Sequence, residues 1–238
     1  MKIIAMIPAR YAATRFPAKL MQMLGDSTVI RRTYDSVRAT GLFNDVIVVT
    51  DSDIIYQEIT SHGGHAVMSR RQHESGSDRI AEAVEDMDVD VIINVQGDEP
   101  FIQKGPLQAL VDLFQDSSVE VGSLMRPISH EGDIAKSSFV KVVVNKFNDA
   151  LYFSRSAIPF AANESVSAPY YLHVGVYGFR KETLLNFTKW PMGRLEQVEK
   201  LEQLRYLENG VGIRMAEVDF SNVAIDTPED LEKAKTML

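Results

Sequence analysis

The stretch IPARYAATRFPAKL, residues 7–20, places Arg10, Arg15 and Lys19 within a dozen positions, directly after the short apolar run MKIIAM. Cations and open backbone N–H groups around small residues can cradle a polyphosphate, although a solvated loop carries the same pattern. The stretch holds neither G-x-G-x-x-G nor G-x-x-x-x-G-K-[ST], so the dinucleotide fingerprint and the P-loop are both excluded. A second candidate is NVQGDEP, where Asp98 follows a β-branched run and precedes Pro100. A carboxylate there suits Mg²⁺ bridging phosphate oxygens, or simply the capping of a turn. In AIDTPEDLEKA, Thr227 and Asp230 form a capping box with Pro228 at the first helical position, so Asp226 is not needed by the helix. It is then available to a metal shared with Asp98, or to the helix N-terminus. In QHESGSDRIAEAV, Ser75, Gly76 and Arg79 offer donors to a base or phosphate, while Ser77 alone would serve as a plain N-cap.

Three further residues point to a second ligand. The run RLEQVEKLEQLRYLENG predicts one long helix ending at Gly210, with Leu195, Val198, Leu201 and Leu204 inward. Glu202 then lies on nearly the same face as Leu195, where a carboxylate needs donors such as sugar hydroxyls, unless it reaches solvent at the stripe's edge. His173 in YYLHVGVYGF alternates with Gly175 and Tyr177 on one strand face, a structural position as readily as a functional one. Arg155 in YFSRSAIP sits among apolar neighbours and predicts a carboxylate partner.

The elements that must hold these residues follow from periodicity. KIIAMI, DVIVVT, HAVM and DVIINVQ read as strands, separated by the helical patterns TVIRRTYDSVRATG, DIIYQEITSHGG and SDRIAEAVEDM, with KGPLQALVDLFQD after the last. Near-continuous apolar strands are those of a parallel sheet covered by helices on both faces. After residue 120 the chain becomes strand-rich: VEVGSLMRPI, FVKVVVNKFNDALYFSRS with a tight turn at KFND, and YYLHVGVYGFR. GIRMAEV, a strand NVAI ending at Asp226, and a last helix from Pro228 complete it. The expectation is an α/β fold with a mostly parallel sheet and a small strand-rich lobe, forming one domain over 1–238.

The 238 residues are 45% apolar and 24% charged, with a net charge of −8 and no cysteine. Disulfide and thiolate chemistry are excluded, and the acidic balance argues against a nucleic-acid or anionic-membrane partner. No apolar run reaches the ~20 residues of a membrane span, and no signal-peptide pattern opens the chain, which predicts a cytoplasmic protein.

IPARYAATRFPAKL, HESGSDR, NVQGDEPFI, ALYFSRSAIPF, HVGVYGFR, the LEQLRYLENG segment and IDTPEDLEK occur in order across almost the whole chain. Together they resemble the 3-deoxy-manno-octulosonate (Kdo) cytidylyltransferases. The resemblance implies a three-layer α/β/α nucleotide-diphosphosugar-transferase fold, Mg²⁺, a homodimer, and conversion of CTP and Kdo to CMP-Kdo and pyrophosphate for lipopolysaccharide synthesis. It assigns Arg10, Arg15 and Lys19 to the triphosphate, Asp98 and Asp226 to the metal, and Ser75, Gly76, Arg79 and Gln96 to the nucleotide. It assigns Gln96, Arg155, His173, Tyr177, Glu202 and Gln203 to the sugar acid. By the same resemblance, 1–120 mainly binds nucleotide, 121–215 mainly binds sugar and dimerises, and 216–238 returns to the core.

The chain departs from the family's usual opening at Ala13 (serine), Ala18 (glycine) and Leu20 (proline), and reads KSSF where NPN is usual. The alternatives are another acidic sugar, such as the 8-amino analogue of Kdo, or a nucleotide-binding member that has lost turnover.

Overall fold

A computed structural model of the chain describes residues 1–12, 16–73, 75–163, 165–166, 168–220 and 223–238. The chain forms an α/β fold whose central sheet is mostly parallel, organised in two compact units, Met1–Gln108 with Ser221–Leu238, and Ala109–Phe220.

The first unit begins with β1 (Ile3–Ala9), a two-stranded ribbon of β2 (Met23–Leu24) and β3 (Ser27–Thr28), and α1 (Val29–Ala39). It continues through β4 (Asp45–Thr50), α2 (Asp53–Thr60), β5 (His65–Met68), α3 (Gly76–Val84), β6 (Val91–Asn94) and α4 (Lys104–Leu113). The strands run parallel in the order β6-β1-β4-β5, with Met6 opposite Ile47 on one side and Asn94 on the other. Every residue of β6, and all but Pro8 of β1, is buried, as the unbroken apolar runs required. Because β1 has β4 on one side and β6 on the other, the chain reverses winding direction there. The crevice beyond its carboxyl end is the place where open α/β sheets bind ligands.

The second unit holds β7 (Val121–Pro127), a helical turn α5 (Glu131–Ile134), β8 (Lys141–Val144), β9 (Ala150–Ser154) and β10 (Tyr171–Arg180). Then come α6 (Lys181–Phe187), α7 (Arg194–Glu199), α8 (Leu204–Glu208) and β11 (Ile213–Glu217). Here β10 pairs antiparallel with β7 and β8, β8 pairs antiparallel with β9, and β11 runs parallel to β7. The KFND connection turns through Asn148 at φ 62°, a left-handed conformation that asparagine tolerates. The chain returns to the first unit in α9 (Pro228–Lys235), closed by the expected capping box of Thr227 and Asp230.

Three expectations change. The long helix is broken: α7 ends at Lys200, which takes φ 54°, and α8 begins only at Leu204. The Arg155 guanidinium supplies the reason, since Nε donates to Glu199 O at 3.0 Å and Nη2 to Lys200 O at 3.4 Å. Those carbonyls would otherwise accept from the next helical turn. Consequently Leu195 and Val198 are 40% and 75% exposed, while Leu201 and Leu204 are buried. Second, residues 223–226 form no strand; instead Ile225 N–H donates to Asp98 O at 2.9 Å. Third, α3 is capped by Ser75 rather than Ser77, Ser75 Oγ accepting from Asp78 N–H at 3.1 Å.

Among the described residues no helix is long and apolar enough to cross a membrane.

Candidate active site

After β1 the chain enters the cationic loop. Arg10 is exposed; Arg15, with Ala13 and Thr14, lies outside the described residues. Lys19 opens a single 3₁₀ turn, Lys19–Met21, whose N-cap Ala18 has φ 49° and ψ 32°. Glycine at Ala18's position would serve this left-handed backbone without strain; alanine adopts it at a cost of about 1–2 kcal/mol. Leu20 is buried within the turn and anchors it, which fixes the direction of Lys19.

The Gln96–Pro100 turn is held from the other side of the switch point. Thr33 Oγ1 on α1 donates to Gly97 O at 2.9 Å, and Ser36 Oγ donates to Pro100 O at 2.8 Å. Gly97 is needed for this approach, because a Cβ there would stand 3.0 Å from Ile30 and 3.3 Å from Leu20. Asp98 is thereby brought to Lys19, its carboxylate accepting directly from Nζ. Asp226 accepts from the same Nζ at 3.0 Å. Its backbone N–H is engaged by Asp230 Oδ2 at 3.2 Å, so the cap of α9 orients it, and the Ile225–Asp98 bond sets its distance.

Burial works to lower the Lys19 pKa, but the charges and hydrogen bonds of Asp98 and Asp226 together raise it above the usual 10.5. One ammonium between two carboxylates leaves a local charge of −1 at the end of a parallel sheet. Among the described residues no group of three or more His, Asp or Glu side chains could hold a metal ion. The two carboxylates of Asp98 and Asp226, both within reach of Lys19 Nζ, are a donor set of the kind Mg²⁺ takes, one or two carboxylates with the remaining positions left to phosphate and water.

Beside these residues a cavity of about 200 Å³ is lined by Pro8, Ala9, Arg10, His73, Ser75, Gly76, Arg79 and Gln96. It gathers all five described residues that the sequence assigned to nucleotide apart from Lys19. Arg79 is almost wholly buried, and its guanidinium donates to Ser69 Oγ and Asp51 Oδ2, each at 2.7 Å. It builds the cavity wall from behind. Ser75 Oγ is committed to Asp78, both as cap and as donor to its carboxylate at 2.8 Å. Sequence reasoning missed His73, although it stands two residues before the α3 cap.

The sugar-assigned residues other than Gln96 lie in the second unit. His173 and Tyr177 sit on β10 with ring centroids 5.3 Å apart, and His173 Nε2 meets Ser123 Oγ at 3.0 Å. Burial pushes the His173 pKa down to about 3, so the ring is neutral. Burial, and then the nearby Glu202 charge, hold the Tyr177 phenol well above its usual range. Glu202 lies in the break between α7 and α8 rather than on a helix face, and Gln203 beside it is buried.

Among the described residues no side-chain carboxylate accepts from the Arg155 guanidinium. The guanidinium donates to the main-chain carbonyls of Glu199 and Lys200, already described, and to Ser137 O at 3.1 Å, while the Glu199 carboxylate accepts the Arg155 backbone N–H. Lys141, also missed, is completely buried. Its Nζ donates to Lys136 O, Phe139 O and Arg155 O at 2.9, 2.6 and 2.5 Å, and burial lowers its pKa. The 136–139 segment, where KSSF replaces the usual NPN, thus meets Lys141 and Arg155 through main-chain oxygens, which do not depend on side-chain identity.

Comparison with known proteins places the chain in a family. The family model described as Cytidylyltransferase matches residues 4–217. The 3-deoxy-manno-octulosonate cytidylyltransferase of Flavobacterium johnsoniae is 56% identical, over 100% of this chain and 99% of its own. That of Christiangramia forsetii is 51% identical, over 100% and 97%. A solved CMP:2-keto-3-deoxy-manno-octonic acid synthetase complexed with CTP superimposes with a TM-score of 0.95 at 38% identity, covering 100% of this chain and 98% of that one. The chain is a nucleotidyltransferase and belongs to the 3-deoxy-manno-octulosonate cytidylyltransferase family.

Proposed function

We propose that the chain transfers CMP from CTP to Kdo, releasing pyrophosphate, in a Mg²⁺-dependent reaction serving lipopolysaccharide synthesis in the cytoplasm, and that it works as a homodimer. The observation that carries this reading is the convergence of Lys19, Asp98 and Asp226 beyond β1, beside a cavity lined by Arg10 and the start of α3.

The anomeric 2-hydroxyl of the sugar acid attacks the α-phosphorus in line. The new bond joins that oxygen to phosphorus, the bond to the bridging oxygen of pyrophosphate breaks, and the hydroxyl proton leaves to solvent. Held by Asp98 and Asp226, Mg²⁺ would supply charge neutralisation for the phosphate oxygens. Arg10, Arg15 and Lys19 hold the leaving pyrophosphate, whose charge grows as the bond breaks. Lys19 keeps its proton throughout, since its two carboxylate partners raise its pKa. It therefore acts as a fixed charge and not as a proton donor.

On the sugar side, neutral His173 and Tyr177 act by hydrogen bonding, with Glu202 and Gln203 as partners for hydroxyls. Arg155 acts mainly by capping α7, which fixes the Glu202–Gln203 segment.

The test is pyrophosphate release from CTP with Mg²⁺ and, separately, Kdo, its 8-amino analogue and N-acetylneuraminate, each with and without EDTA. Release with Kdo that EDTA abolishes is the expected result. Release only with another sugar, or none with any, overturns the assignment.

A further inference from the structure

Glu82 is a buried carboxylate of the first unit with three hydrogen-bond donors, and the mechanism above does not use it. Its side chain is 2% exposed. It accepts from Arg70 N–H at 3.0 Å, Arg71 Nε at 3.1 Å and His73 Nε2 at 2.9 Å. Burial alone would raise its pKa, but the bonds from His73, Arg71 and the Arg70 backbone outweigh it and bring the group to about 2. An ionised carboxylate has no proton to give, so the proton in the His73–Glu82 bond belongs to Nε2.

With one proton on the ring and that proton at Nε2, Nδ1 is an acceptor, and among the described residues nothing donates to it. His73 is one of the residues that line the cavity shared by Arg10, Gly76 and Gln96. Both walls of that cavity are tied to one helix: α3 supplies Ser75, Gly76 and Arg79 at its start, and through Glu82 it holds the 70–73 segment.

We propose that Glu82 is a positioning residue that fixes His73 in its Nε2–H tautomer, and that Nδ1 of His73 selects a nucleobase bearing an exocyclic amino donor, cytosine over uracil. The inference rests on the reading of the cavity as the nucleotide site. Uracil carries a carbonyl oxygen at position 4 where cytosine carries the amino group. Two acceptors would then face each other, and a buried polar group left unpaired rejects such an analogue strongly.

The experiment measures Kd for CTP and UTP with Mg²⁺ by calorimetry, in the full-length protein and in the His73→Phe and Glu82→Gln variants. Thermal melting and pyrophosphate release are measured in parallel. Wild type should favour CTP by at least about tenfold, His73→Phe should bring the two within about threefold, and Glu82→Gln should lower the ratio while remaining folded. His73→Asn, which keeps an acceptor near Nδ1, should restore part of the preference. A folded His73→Phe protein with the wild-type ratio overturns the inference alone, provided wild type still releases pyrophosphate. A wild type that neither discriminates nor turns over removes the inference together with the functional reading.

Discussion

Replacing Asp98 by Asn separates charge from shape at the centre of the site. The carboxylate is 20% exposed and Lys19 15% exposed, so both are partly screened. Asn keeps the volume and still accepts from Lys19 Nζ, and Asp226 remains as the second partner at 3.0 Å. What is lost is the difference between a charge-assisted and a neutral hydrogen bond, about 1 kcal/mol. In a protein of this size that lowers Tm by about 2–4 °C. The effect on turnover is larger, because the charge is preorganised where phosphate charge changes hands. One such contact is worth about 2.7–4 kcal/mol, or 10²–10³ in rate. The assay is pyrophosphate release at saturating CTP, sugar and Mg²⁺, with a melting curve on the same preparation. A kcat reduced by a hundredfold or more with Tm within about 4 °C is expected. A kcat within tenfold of wild type would refute the role given to Asp98.

The remaining predictions concern the scaffold. Ala18→Gly relieves the left-handed backbone at φ 49°, worth about 1–2 kcal/mol, but adds unfolded-state entropy of about 0.5–1 kcal/mol. Tm should stay level or rise by up to about 4 °C, and a fall would show that alanine is preferred there. Arg205 holds Glu196, itself almost fully buried, through two bonds of 2.7 and 2.6 Å. Arg205→Met removes the ion-pair partner of that buried carboxylate, leaving it the Gly193 N–H, and should cost about 3–5 kcal/mol in urea unfolding, against a loss under 1 kcal/mol if the pair were idle. His173 has its pKa lowered from 6.5 to about 3. Its contribution is therefore complete above pH 6.5 and erodes as the pH falls toward about 3, where the unfolded state takes up a proton that the native state refuses. The stability advantage of wild type over His173→Gln should shrink from pH 6.5 to pH 4, and a flat difference would contradict a neutral buried ring.

Local chemistry made much of this protein legible in one dimension. The apolar runs of β1, β4 and β6 have no polar face to show water, so they had to lie inside a covered parallel sheet. Thr227, Pro228 and Asp230 specify a helix start whatever surrounds them, because their bonds close within one turn. The cations after β1 and the carboxylate after β6 were suspect from residue type and position alone. The failures have one cause. The break at Lys200 comes from a guanidinium 45 residues away in sequence taking its carbonyl, and periodicity within a helix carries no trace of such a donor. The absent strand before Asp226 is similar, since a single bond to Asp98 O replaced the ladder that its β-branched residues suggested.

The sequence by itself determined the parallel strands β1, β4, β5 and β6 with the helices α1–α4 between and after them, the cluster of cations after the first strand, and that the cap of α9 does not require the Asp226 side chain. Only the tertiary structure brought Lys19 within reach of Asp98 and Asp226, 79 and 207 residues further along the chain. It also buried Lys141 among carbonyls and set the Glu82 carboxylate against His73. Covalent neighbours set propensity and caps, whereas the charge environment and solvent exclusion that define a site belong to groups met only on folding.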